Sequence, residues 1–171
     1  MFSIVRVYRE SLPAVRFVGK KYGEHDRAEG SFAAKWGEWF SSGWFSAVEK
    51  EIELIPKECE GGAYIGLMRQ KNGNFEYWIG MFAAAGSPVP LGFSYVDIPS
   101  GEIATAWIYG SQDNGEIYGK DAHDACLEKF ADKGWQFADD SYFFERYQCP
   151  RFTNADKDQK VILDYCIYLK K

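Results

Sequence analysis

No stretch of this sequence is apolar for long enough to cross a bilayer, and nowhere do lysine and arginine gather into a dense cluster. The first absence excludes a membrane protein built on spanning helices. The second disfavours direct binding to duplex nucleic acid, which needs a basic face, and attraction to anionic membrane surfaces. With a formal net charge of −5, the long-range field favours cationic ligands instead. Histidine is scarce. The two present, His25 and His123, have no useful spacing to Cys59, Cys126, Cys149 and Cys166, and these form no C-x-x-C pair. No metal site and no cofactor is therefore expected. Phosphate loops, nucleophile elbows and metal-binding helix motifs are also missing, so nothing in the sequence independently signals catalysis. The opening residues Met1-Phe2-Ser3-Ile4-Val5-Arg6 lack a basic region followed by an apolar stretch. A signal peptide is not expected, and the cytoplasm is the expected location.

What the chain has in excess is aromatic rings. They make up 18% of its 171 residues, with six Trp, eleven Tyr and thirteen Phe, more than a small core requires. The surplus is available for a ligand pocket or an interface. The length suits one domain covering 1–171 that buries its own core without disulfide or metal staples.

The order of elements repeats along the chain. Residues 12–23 (LPAVRFVGKKYG) and 98–110 (IPSGEIATAWIYG) each run from an apolar residue and a Pro through a strand-like stretch to Tyr-Gly. Short strand candidates precede them, near Ile4–Tyr8 and Phe93–Asp97. In the first part a helix is expected from an N-cap at Ser31 to Gly43, with Phe32, Trp36, Trp39 and Phe40 at helical spacing, and a second short turn from Trp44 to Lys50. Strands follow at Ala63–Arg69 and Phe75–Phe82, joined by an Asn72-Gly73 hairpin turn. In the second part the helix is Lys120–Lys133, with Gly134 as its cap, and the strands are Ser141–Gln148 and Lys160–Leu169. Each part, approximately 1–85 and 91–171, thus reads β-β-α-β-β. The expected fold is α+β: an antiparallel sheet or two half-sheets with helices on one face, and a ligand cleft where the halves meet.

The motifs YWIGMF (77–82), GFSYVDIPSGEIATAWIYG (92–110), FFERYQCPRF (143–152) and VILDYCIYL (161–169), taken in that order, resemble the GyrI-like domain, also called the bacterial transcription-activator effector-binding domain. The resemblance covers nearly the whole chain. It implies a duplicated β-α-β-β unit of the SHS2 type with pseudo-two-fold symmetry. In multidrug-responsive activators of this family the domain follows a DNA-binding helix-turn-helix and holds bulky lipophilic cations between its halves. A buried glutamate of the penultimate strand and surrounding aromatics do the binding. The matching glutamate is Glu145, the aromatic of the first helix matches Trp36, and the acidic residue of the last strand matches Asp164. The chain departs from those activators in having no helix-turn-helix, so it is expected to reach transcription, if at all, through a partner.

The residues can be weighed one by one. On a strand, Phe143, Glu145 and Tyr147 share a face, with Phe144 and Arg146 opposite. Glu145 among aromatic walls would attract a delocalised cation; from spacing alone it reads more readily as a half-exposed strand glutamate paired with Lys or Arg. Trp36 and Trp39 lie on the apolar stripe of the first helix, where at least one should serve the core. Trp78 and Trp107 lie in strands, where either face is open to them. Tyr147 offers a hydroxyl beside Glu145. Asp164, between apolar neighbours, reads as a hydrogen-bonded structural carboxylate; paired with Glu145 it would suit acid–base work.

The leading expectation is a non-catalytic protein that binds or sequesters bulky aromatic, cationic lipophilic small molecules through Glu145, Tyr147, Trp36, Trp39, Trp78, Trp107 and Phe143. Two alternatives stand beside it. One is a hydrolase of reactive cyclopropane-type toxins, with Glu145 as its catalytic group. The other is a protein-interaction module such as a gyrase inhibitor.

Overall fold

The computed structural model describes residues 1–171. Local sequence sets most of the elements. The Asn72-Gly73 pair has φ values of 51° and 76°, the two positive angles of a type I′ turn, and it joins β3 (Tyr64–Lys71) to β4 (Asn74–Ala84) with Lys71 opposite Asn74. Gly43, at φ 66°, separates helix α1 (Ala33–Ser41) from α2 (Trp44–Glu51). Gly134, at φ 72°, lies just beyond α3 (Lys120–Asp132). The expected N-cap at Ser31 is displaced. An isolated bridge ties Ser31 to Ala28, α1 starts from Phe32, and the Ser31 hydroxyl accepts only a long bond from the Ala33 N–H at 3.3 Å.

The remaining strands are β1 (Ser3–Leu12), β2 (Val15–Tyr22), β5 (Ser94–Ile98), β6 (Gly101–Gly110), β7 (Phe143–Tyr147) and β8 (Val161–Tyr168). All eight form a single antiparallel sheet in the order β1-β6-β8-β7-β3-β4-β2-β5. The fold is α+β, one sheet and three α-helices. Strands β7 and β3 meet at the centre, from Tyr64 opposite Tyr147 to Met68 opposite Phe143. The edges are exchanged: β1 pairs with β6, and β5 pairs with β2.

Register assigns the faces. Tyr165, Glu145, Gly66 and Ile79 lie in line across β8, β7, β3 and β4. On this face α1 and α2 pack Trp39, Phe45 and Val48 against Val18, Ile79 and Met81. Helix α3 packs Cys126 and Phe130 against Ala104, Leu163 and Tyr165. All three helices therefore cover one face. The other face carries Phe17, Ile65, Leu67, Trp78, Phe82, Ile103, Phe144 and Cys166 in one cluster to which no α-helix contributes.

Behind the sheet centre sits a buried ion cluster. The Arg146 guanidinium donates through Nε to Asp164 Oδ2 at 2.8 Å and through Nη1 to Glu10 Oε1 at 2.7 Å. Arg151 Nε reaches Asp164 Oδ1 at 2.7 Å. Asp164 has no accessible surface and Arg146 almost none. Removing one member of such a pair strands the other charge in a low-dielectric interior. Asp164→Asn is expected to lower unfolding free energy by about 3–5 kcal/mol, a cost typical of broken buried pairs. Urea denaturation checks this, and a loss under about 1 kcal/mol, the worth of an exposed pair, would show the cluster to be solvent-relaxed.

Candidate functional site

The centre of the helix-bearing face holds one carboxylate, Glu145, in the gap between α1 and α3. Strand alternation puts it there: Phe144 and Arg146 go to the back of β7, Phe143, Glu145 and Tyr147 to the front. Directly opposite Glu145 on β3 is Gly66, and on β8 is Tyr165. Gly66 leaves room for rings from the first part of the chain. A Cβ at this position would stand 3.0 Å from Tyr77 Oη and 3.4 Å from Trp36 Cζ2. The Trp36 indole packs edge-on against Tyr147, centroids 4.8 Å apart, and its Nε1 donates to Tyr77 Oη at 2.8 Å. Tyr77 in turn stacks on Phe32 at 4.0 Å. On the α3 side, the Tyr165 hydroxyl pairs with His123 Nδ1 at 2.7 Å, and Phe143 packs against both rings.

Glu145 is half-buried, and Tyr147 Oη donates to its Oε2 at 2.6 Å. Burial pushes its carboxyl up to about 7, and the Tyr147 hydrogen bond holds it back from rising further. Burial and then the nearby Glu145 charge push up the phenols of Tyr77, Tyr147 and Tyr118, the last to about 12. These tyrosines stay protonated at neutral pH and act as hydrogen-bonding walls. Burial lowers the pKa of His123, so this ring is neutral too. The site thus combines one titratable acid with aromatic faces, which suits a flat cation through charge and cation–π attraction together. Two open hollows elsewhere, about 470 and 560 Å³, are lined mainly by polar side chains such as Lys21 and Asp26 in one and Gln70 and Asp139 in the other. Neither includes Glu145, and their polar linings lack the apolar enclosure that organic ligands need.

The structure brings together Glu145, Tyr147, Trp36 and Phe143. It separates the other three tryptophans from them. Trp39 is fully buried in the core beneath α1 and α2, with Nε1 bonded to Tyr22 Oη. Trp78 lies in the cluster behind the sheet. Trp107 is opposite Asp164 on that same rear face, between the Arg6 and Arg151 guanidiniums at 4.7 and 4.8 Å. Asp164 points away from Glu145, so the two carboxylates cannot share acid and base roles. Sequence reasoning passed over Tyr77, Tyr165, Tyr118 and His123. Tyr77 adjoins the residue chosen instead, Trp78, and Tyr165 adjoins Asp164, read as a structural carboxylate; a one-residue step along a strand changes the face.

No protein-family model and no curated protein matches the sequence. Solved structures do match over almost the whole chain. SAV2435, solved bound to tetraphenylphosphonium, is 16% identical with a TM-score of 0.71 over 97% of this chain and 94% of its own. A Staphylococcus aureus MU50 protein assigned to bacterial transcription regulation gives 16% and 0.67 over 97% and 99%. The C-terminal domain of EcmrR gives 11% and 0.60 over 97% and 98%. The chain shares the fold of these proteins. Against EcmrR in complex with DNA, it spans 57% of that protein's chain.

The raised Glu145 carboxyl makes stability depend on pH. A group bound to its proton more tightly when folded stabilises fully below its unfolded pKa, and this contribution is lost as pH rises through the folded value. Between about pH 4.5 and 7 the wild type is expected to lose roughly 2–3 kcal/mol more than Glu145→Gln, after allowing for partial solvation. Parallel urea titrations would show it; superimposable pH profiles would mean an ordinary, solvated carboxylate. Tyr147→Phe removes the bond that favours the ionised form, so carboxyl titration followed by NMR should move above about 7, and a downward shift would contradict the geometry.

Proposed function

We propose that this protein binds bulky, aromatic, lipophilic cations in the cleft between α1 and α3, and so sequesters or senses drugs and toxic metabolites. One observation carries the reading. The only carboxylate at the centre of the helix-bearing face is ringed by Trp36, Tyr77, Tyr147 and Tyr165. A buried carboxylate that lacks a cationic side chain is electrostatically incomplete. No Lys or Arg bonds to Glu145; its hydrogen bond comes from a phenol. A bound cation supplies the missing charge, and the rings supply contact area with no strong demand on ligand shape. Tolerance of several related cations follows from that. SAV2435, similar in fold, is bound to such a cation, tetraphenylphosphonium.

The same reading treats the two parts of the chain as copies of one SHS2-type β-α-β-β unit. The strand order β3-β4-β2-β5 on one side of the centre and β7-β8-β6-β1 on the other supports it. The cleft then lies at the pseudo-two-fold junction, where packing is least complete. A cytoplasmic address, and a separate regulator as protein partner, go with the sensing role.

A hydrolytic reading draws on a different observation, a carboxyl poised to exchange a proton near neutrality beside a hydrogen-bonding phenol. It would rest on Glu145 alone, because Asp164 lies behind the sheet. Turnover of a strained electrophile that disappears in Glu145→Gln would establish it over simple binding.

The binding test is a titration with tetraphenylphosphonium or a rhodamine dye, followed by fluorescence. Micromolar affinity is expected, weakened about tenfold or more in Glu145→Gln, a loss near 1.4 kcal/mol. Equal binding by both proteins would remove Glu145 from the site. Absence of binding in both would overturn the reading.

A further inference from the structure

Resting on that reading, we infer that the cleft is built for cations that carry N–H donors, protonated primary or secondary amines and amidines on an aromatic body, in preference to fully substituted onium ions. The inference comes from counting donors and acceptors at the site. Glu145 Oε2 receives the Tyr147 hydroxyl, while Oε1 receives no hydrogen bond from the protein. Tyr77 Oη accepts from Trp36 Nε1 and retains its own hydrogen. The hydrogen between Tyr165 and His123 is held between those two residues. The backbones of β3, β7 and β8 on either side of Glu145 are engaged in the ladder. One carboxylate oxygen at the centre is therefore unfilled, with phenol oxygens beside it that can accept.

Closing a ligand over Glu145 removes the water that would otherwise serve Oε1. An onium ion with only carbon substituents neutralises the charge but leaves that oxygen without a donor, and an unpaired acceptor in a dry site is costly. An N–H⁺ group neutralises the charge and fills Oε1 with a charge-assisted hydrogen bond, about twice as strong as a neutral one. The phenol oxygens nearby can take its remaining hydrogens, since each hydroxyl oxygen has two lone pairs. Gly66, with no Cβ opposite Glu145, lets the Tyr77 hydroxyl and the Trp36 ring come down beside the carboxylate, so an ammonium group at Oε1 would have a phenol oxygen and an aromatic face next to it.

The test compares two ligands of equal charge and equal aromatic body, 9-anthracenylmethylammonium and its N,N,N-trimethyl counterpart, at about pH 8 so that Glu145 is ionised. Fluorescence titration of the full chain should show the primary ammonium binding at least about tenfold more tightly. In Glu145→Gln, checked for an unchanged near-UV circular dichroism spectrum, the advantage should shrink below about threefold. Equal affinities, or tighter binding of the trimethyl compound, would overturn the inference and leave cation binding intact. So would binding of tetraphenylphosphonium with neither anthracene bound. If none of the three binds, the cation-binding reading falls and this inference with it.

Discussion

Strand β7 is only five residues long, and a buried ion pair fixes its register. Arg146 meets Asp164 and Glu10 on the concealed side of the sheet, and this pairing decides which way every neighbour points. A slip of one residue would turn Arg146 toward the helices and drive Glu145 into the apolar cluster around Phe144 and Cys166. Neither charge could survive that exchange without its partners. The carboxylate in front is thus held in place by the cation behind. The strand separates the two charges so completely that Glu145 gains nothing from the guanidinium next to it in sequence. This is why burial dominates its proton affinity.

The surroundings of Glu145 disfavour its ionised form, and they persist because the flanking packing does not depend on it. Trp39, Phe45 and Val48 anchor the first helices on one side, and Cys126 and Phe130 anchor α3 on the other. Each cluster closes on apolar contacts of its own. The residues over the gap, Trp36 and Tyr77 above all, are positioned from below by Gly66 and from the side by Phe32. The arrangement of rings around Glu145 is therefore set by contacts that do not involve the carboxylate.

Much of this was legible in the sequence. Helical spacing of Phe32, Trp36, Trp39 and Phe40, the Asn72-Gly73 turn and the glycine after α3 specify local structure through backbone geometry, which is a property of short segments. The repeated order of elements pointed to the sheet, and FFERY to the central acid. The tryptophans were harder. Trp36 and Trp39 are three residues apart on one helix stripe, yet one packs against Tyr147 beside Glu145 and the other is enclosed in the core. Trp78 and Trp107 are large and hydrophobic enough for either side of a strand. Only pairing with Leu67 and Asp164 places them at the rear, and pairing is a long-range property that composition does not carry. Tyr165 and His123 form a pair 42 residues apart, with no local signal at all.

The exchanged edge strands have a consequence for how the molecule assembles and moves. Strand β1 is completed by β6, with Arg9 and Glu102 bonded across a separation of 93 residues, and β5 is completed by β2. Neither part of the chain can finish its own side of the sheet until the other has been made, so the late steps of folding must wait on long loop closures. The two parts are consequently interlocked, each clasping the other at its margin, and a clasped pair cannot swing apart as a hinge. Any rearrangement around Glu145 must come from the helices and their rings sliding over a sheet that stays whole.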